Sequence, residues 1–93
     1  MIRSFECKKT ERLFNREGVK EFEQIADVAR RRLIALDSAE ELNDLLIPPG
    51  NRLEALTRDR KGQHSIRIND QCRVCFVWRE GHAEDVEITK HYR

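Results

Sequence analysis

Two arginines six positions apart, Arg67 and Arg73, stand in the middle of the stretch "GQHSIRINDQCRVCFVW" (Gly62–Trp78), and a histidine, His91, lies near the end of "EDVEITKHYR". Guanidinium groups match phosphate oxygens with planar, charge-assisted pairs of hydrogen bonds. Histidine moves protons near neutral pH. Tyr92 can do the same at higher pH, and Lys90 can stabilise developing negative charge. Together these residue types suit RNA cleavage without a metal. A 2′-hydroxyl loses a proton, a pentavalent phosphate gathers charge beside the cations, and a 5′-oxygen takes up a proton. No acidic cluster has metal-ligand spacing: Asp85 and Glu87 are two apart on one predicted strand, and Glu84 is expected on the other face. No cofactor is implied.

The elements that position these groups follow from the spacing of apolar residues. The stretch from Gly62 to Trp78 reads as two strands around a polar turn. With the odd loop Asn69-Asp70-Gln71, Ile66, Ile68, Cys72, Val74, Phe76 and Trp78 share one apolar face. A two-residue loop would place Ile66 against Arg73 and split that face, and a slip of one residue inverts every side chain. The apolar pattern therefore selects the odd loop, with Ile68 opposite Cys72, Ile66 opposite Val74 and His64 opposite Phe76. It also sets Arg67 opposite Arg73. Two such charges roughly 5 Å apart repel by about 3 kcal/mol at an effective dielectric near 20. Like charges directly opposite each other disfavour the pairing. Two outcomes relieve the repulsion: a bound phosphate, or a local carboxylate such as Glu87. In the last strand Val86 and Ile88 join the apolar face, so Glu87, Thr89 and His91 alternate to the arginine side.

Ahead of these strands the period is helical. "IRSF" (Ile2–Phe5) suits a short first strand. A helix is expected from about Lys8 to Arg16, burying Leu13 and Phe14 and stopping at Gly18. Phe22, Ile25, Ala26, Ala29, Leu33 and Leu36 recur along one face of a second helix. Asp37 and Ser38 break it, and Ser38 with Glu41 forms a capping-box pattern for a third, which carries Leu42, Leu45 and Leu46. "PPG" (Pro48–Gly50) ends that helix. "NRLEALT" reads as a strand with an irregularity, "RDRKG" (Arg58–Gly62) as a basic loop and "REGH" as a turn. Helices followed by antiparallel strands predict an α+β fold, with N-terminal helices on one face of a small, mainly antiparallel sheet. The 93 residues suit a single domain, 1–93.

Charge is unevenly spread. Residues 1–50 carry 9 Lys/Arg and 10 Asp/Glu, residues 51–79 carry 7 and 3, and residues 80–93 carry 2 and 4. The basic excess of four thus falls on the central strands, where it can recruit a polyanion although the whole chain is only +1. No apolar run reaches the length of a membrane span, the start lacks the apolar stretch of a signal peptide, and three cysteines form no disulfide framework. These features predict a cytoplasmic protein with no membrane partner. Cys72 and Cys75 make a C-x-x-C, but on a strand they face opposite sides and share no metal. Phe76 and Trp78 are expected in the core. Arg30–Arg32 is expected to be a solvated helix face.

Through "PPGNRLEAL", "GQHSIRINDQCRVCFVW" and "DVEITKHYR" the chain resembles the HigB-type toxins of the RelE/ParE superfamily, over nearly its whole length. The resemblance implies a RelE-like fold and a toxin of a type II toxin–antitoxin system. It also implies an mRNA interferase, an endonuclease that cuts translated mRNA in the ribosome and inhibits translation. The partners it implies are a helix-turn-helix antitoxin of the HigA type, the 70S ribosome with its mRNA, and operator DNA only through the antitoxin complex. Residue by residue, it sets Arg67 and Arg73 on the phosphate and His91 as the proton-transfer group, with Lys90 and Tyr92 in support. Arg52 and Lys61 match positions flanking the second strand and its basic loop, and His64 lies in the matching "QHS"; these three, with Arg58 and Arg60 of the basic loop, are the residues expected to bind RNA. Many relatives end in Asp-Tyr-His where this chain has Lys90-His91-Tyr92, so the division of base and acid stays open. Two other readings remain: a non-enzymatic, ParE-like poison of a protein target, and an RNA-binding module without catalysis.

Overall fold

The computed structural model describes residues 1–90. Two helices, α1 (Lys8–Phe14) and α2 (Ala26–Ser38), lie on one face of a four-stranded antiparallel sheet. The strands are β1 (Glu54–Ala55), β2 (Gln63–Arg67), β3 (Cys72–Arg79) and β4 (His82–Lys90), in that spatial order. This is the expected α+β arrangement. Leu13 of α1 and Ala29, Leu33 and Leu36 of α2 meet Ile66, Val74, Phe76, Ala83, Val86 and Ile88 of the sheet in one core.

The central hairpin has the register that its apolar residues demand. Ile66 pairs with Val74, His64 with Phe76 and Arg67 with Arg73. The Asn69 carboxamide oxygen accepts bonds from the Gln71 and Cys72 amides at 2.8 Å each, which shapes the odd loop. The β3–β4 turn is tighter. Glu80 (φ 53°) and Gly81 (φ 79°) are both left-handed, as a two-residue hairpin turn requires.

Beyond that turn β4 departs from simple alternation. Val77 pairs with Glu84 and Cys75 with Glu87, so β4 carries one extra residue. Asp85, at φ 53°, is the left-handed residue in this bulge. Ala83 and Val86, three apart, both reach the core as a result. Glu84 shares a face with Glu87, contrary to the alternation expected from sequence. The N-terminal segment docks on the outer edge of β4 in parallel, as bridges Ile2–Ala83 and Phe5–Val86 on either side of the bulge. The Ser4 hydroxyl accepts the Asp85 amide at 2.9 Å.

Several helical boundaries differ from the sequence expectation. The first helix ends at Phe14, and the left-handed residue that turns the chain is Arg16 (φ 67°), not Gly18. Its amide and that of Glu17 close on the carbonyls of Leu13 and Arg12. Phe22 lies in a separate 3₁₀ turn, Lys20–Phe22, and α2 begins only at Ala26 and runs through Ser38. The third helix is a 3₁₀ segment, Leu42–Leu46, that buries Leu45 but leaves Leu46 exposed. Asp44, not Ser38, caps it by accepting the amides of Glu41 and Glu40, which hold the Asp44 carboxyl below its usual range. Ser38 is spent as the last residue of α2.

One buried polar contact ties α1 to the sheet. The hydroxyl of Thr10, itself fully buried, accepts the Ile88 amide at 3.1 Å. Thr10→Val keeps the shape and leaves that amide unpaired in the core. It should lower unfolding free energy by about 1–3 kcal/mol, read as a shifted denaturant midpoint at unchanged slope.

Candidate nucleic-acid interface

The side chains of Ser65, Arg67, Arg73, Cys75, Glu87 and Thr89 share the sheet face turned away from the helices, because paired residues of neighbouring strands point the same way. Arg67 and Arg73 are direct neighbours across the hairpin, and Thr89 flanks Arg73 on the other side. The hairpin therefore sets two arginines opposite each other on this face, one reaching toward the turn and the other toward Ser65 and Arg52.

The two arginines are held differently. Arg73 donates from Nε to the Ser65 hydroxyl and from Nη2 to the Arg52 carbonyl, both at 2.7 Å. Its Nη2 also lies 3.6 Å from the Glu54 carboxylate. Its side chain is only 14% exposed. Arg67 is 34% exposed and pairs with Asp70, a turn residue whose carboxylate is almost entirely in solvent. Arg67 is thus held by one exposed turn residue, whereas Arg73 is held by contacts to Ser65, Arg52 and Glu54. Both arginines have carboxylate partners, but neither is Glu87. That residue instead takes a 2.8 Å bond from Arg60, whose Nη1 also donates to Gln63.

The Arg60–Glu87 pair links the basic loop to β4 across the intervening strands and folds Arg60 over this face. Cys75 lies fully buried nearby, 3.5 Å from the Thr89 hydroxyl. Burial pushes its thiol up, Glu87 adds to this, and Thr89, Arg60 and Arg73 oppose it. On the other face, burial likewise pushes up the thiol of Cys72, opposed by Lys90.

Of the residues expected at the site, the structure brings Arg67, Arg73 and Arg60 to one face. Arg52 stands at its edge in a left-handed conformation (φ 46°) that turns its carbonyl to Arg73. Arg58 (φ 57°) and Lys61 are exposed on the basic loop. His64 is on the opposite, helix-side face. It stacks on Phe76 with ring centroids 6.1 Å apart, and its Nδ1 is buried with no hydrogen-bond partner among the described residues. Lys90 pairs with Cys72 in register and so also belongs to the helix side. His91 and Tyr92 lie outside the described residues.

Sequence reasoning missed Ser65, Glu54 and the Arg52 carbonyl. Ser65 has the strand parity of Arg67, so alternation alone could have flagged it. The other two depend on where a loop folds. The three consecutive arginines of α2 also differ from a simple solvated face. Arg30 donates to the Leu13 carbonyl at 3.1 Å and Arg32 to the Arg67 carbonyl at 2.8 Å, while Arg31 is exposed. Burial, then the charges of Arg31 and Arg67, pushes the Arg32 guanidinium below its ordinary range.

Residues 3–91 match the model of the HigB-like toxins, described as RelE-like toxins of type II toxin–antitoxin systems. The chain belongs to the HigB-like toxin family. It is 46% identical over 61 residues to Toxin HigB-1 of Vibrio cholerae, a match covering 66% of this chain. It is 31% identical over 64 residues, 69% of this chain, to an uncharacterized protein of Haemophilus influenzae. The chain spans 64% and 63% of the lengths of these two relatives. Among solved structures it is similar to chains from two YoeB–YefM toxin–antitoxin complexes of Staphylococcus aureus. Both superpose with a TM-score of 0.61 at 19% and 18% identity, covering 99–100% of this chain and 99% of theirs. At that identity the likeness is one of fold. The arginine face thus lies on a HigB-like chain with a RelE-type sheet.

Two outcomes test this geometry. Low-millimolar inorganic phosphate, at constant ionic strength, should raise the melting temperature of the wild type and raise that of Arg67→Gln less, because the anion relieves the paired charges. A raised thiol pKa leaves less thiolate at neutral pH, and thiolate is the reacting form. Cys72 and Cys75 should therefore resist iodoacetamide in the native state and react once denaturant opens the core, read by mass spectrometry.

Proposed function

We propose that this HigB-like chain is the toxin of a type II toxin–antitoxin system and acts as an mRNA interferase, a metal-independent endoribonuclease that cuts mRNA on the ribosome. The observation that carries this reading is the side-by-side placement of Arg67 and Arg73 on the open sheet face. Two arginines at paired strand positions can together meet the doubly charged, pentavalent phosphate of RNA self-cleavage better than the singly charged diester that precedes it. That difference is what accelerates a reaction.

In the proposed reaction the 2′-oxygen gives up its proton and bonds to the adjacent phosphorus. The bond from phosphorus to the 5′-oxygen breaks, and that oxygen takes up a proton. A 2′,3′-cyclic phosphate and a 5′-hydroxyl remain. Arg73, fixed by its three contacts, and the more exposed Arg67 receive the growing phosphate charge. His91, two residues after Thr89 in the chain, is assigned the proton transfer with Tyr92 in support. Arg52, Arg58, Arg60 and Lys61 are assigned to flanking phosphates. Lys90 and His64, on the helix side, are left out of the reacting set. The expected partner is a HigA-type antitoxin that neutralises the chain, and the expected compartment is the cytoplasm. Among the described residues no helix is long and apolar enough to cross a membrane.

The deciding test is primer extension on a reporter mRNA after brief induction of the chain in cells. Discrete cuts within translated codons are expected, and they should weaken sharply with Arg73→Ala and be suppressed by co-expressed antitoxin. Growth arrest with intact mRNA would instead point to a protein target such as gyrase. RNA binding without cuts would leave a non-catalytic binding module.

A further inference from the structure

The sheet face holds a buried hydroxyl with no role in the core. Ser65 is fully buried, yet it faces away from the helices, and its oxygen accepts the Arg73 Nε–H at 2.7 Å. The Arg52 carbonyl takes one Nη2 hydrogen at 2.7 Å. These two acceptors occupy the same side edge of the guanidinium, from Nε to Nη2, and fix its plane. Nη1 has no hydrogen-bond partner among the described residues. The anchors thus come from β2 and from the loop before β1, so Arg73 is held from outside its own strand.

The Arg52 carbonyl reaches this position because Arg52 adopts a left-handed backbone conformation, uncommon for a residue with a side chain. Arg67, directly opposite across the hairpin, has no comparable anchor: its only side-chain partner among the described residues is the exposed carboxylate of Asp70. The two arginines are equivalent in the strand pairing and unequal in their surroundings. That inequality is built by Ser65 together with the Arg52 carbonyl.

We infer that Ser65 is a positioning residue, which fixes the Arg73 guanidinium by its side edge and directs the Nη1 end toward the phosphate. This rests on the nuclease reading for its consequence, but the positioning itself is a property of the free protein. A fixed donor needs no reorganisation when charge develops in the transition state, so its loss falls on the chemical step more than on binding.

The experiment compares wild type, Ser65→Ala, Ser65→Thr, Arg73→Ala and the Ser65→Ala/Arg73→Ala double variant, each checked for folding by circular dichroism. Two readouts are taken. In the first, the Arg73 Nε–H signal is followed by ¹⁵N NMR in the free protein. It should be resolved and protected from exchange in wild type and Ser65→Thr, and lost or averaged in Ser65→Ala. In the second, mRNA cleavage on programmed ribosomes is measured. Ser65→Ala should lower kcat roughly tenfold with KM nearly unchanged, Ser65→Thr should restore most of the rate, and Ser65→Ala should cost nothing further on the Arg73→Ala background. An unaltered Nε–H signal in Ser65→Ala overturns the inference, as does an equal rate loss with and without Arg73. If wild type cuts no mRNA while the signal depends on Ser65 as expected, the positioning stands and the nuclease reading falls.

Discussion

A strand pair with one buried face has little freedom in its register. In the β2–β3 hairpin, Ile66, Ile68, Cys72, Val74 and Phe76 must all reach the helices, and each is at most 5% exposed. Burying a side chain of this size is worth about 1.5–3 kcal/mol. A one-residue slip forfeits several such terms at once, whereas the repulsion between Arg67 and Arg73 is about 3 kcal/mol before solvent and carboxylates reduce it. The core therefore outweighs the charge conflict and holds two like charges together on the opposite face. The rest of the candidate site is assembled around that enforced pair.

The protein relieves the conflict in two unequal ways. Arg67 is met by a solvent-exposed carboxylate in the adjoining turn, a contact that gives way readily to an incoming anion. Arg73 is met by a buried hydroxyl and a backbone carbonyl, neutral acceptors that orient the group, with the half-exposed Glu54 carboxylate farther off at 3.6 Å. One cation is adaptable and one is preset. A third, Arg60, is brought in from the basic loop by Glu87 on the far strand. The bulge at Asp85 serves this layout as well. It lets Ala83 and Val86 both reach the core while Glu84 and Glu87 remain on the outer face, and Glu84 there pairs with Arg79 at 2.9 Å.

Sequence reasoning worked where a periodic apolar pattern meets a single buried face. The hairpin register, the facing of Val86 and Ile88, the core placement of Phe76 and the α2 stripe all follow from alternation or from helical spacing. It failed where the chain is short of pattern. Gly18 looked like the stop of α1, yet Arg16 takes the left-handed position, because the helix ended two residues sooner. The capping box read at Ser38 and Glu41 shifted to Asp44 because α2 continues through Ser38. Two of three arginines on α2 serve as latches onto carbonyls, which no charge count reveals.

By itself the amino-acid sequence determined the α+β class, the helix-facing residues and the pairing of Arg67 with Arg73, since these depend on local period and on which side chains avoid water. Only the tertiary structure decided which arginine is rigid, which carboxylate meets which cation, and that His64 and Lys90 stand on the helix side. Those outcomes depend on where the Arg52 carbonyl, the basic loop and β4 come to rest against β2 and β3. Long side chains choose partners by distance in space, and residues 21 or 27 positions apart leave no mark of that distance in the order of the chain.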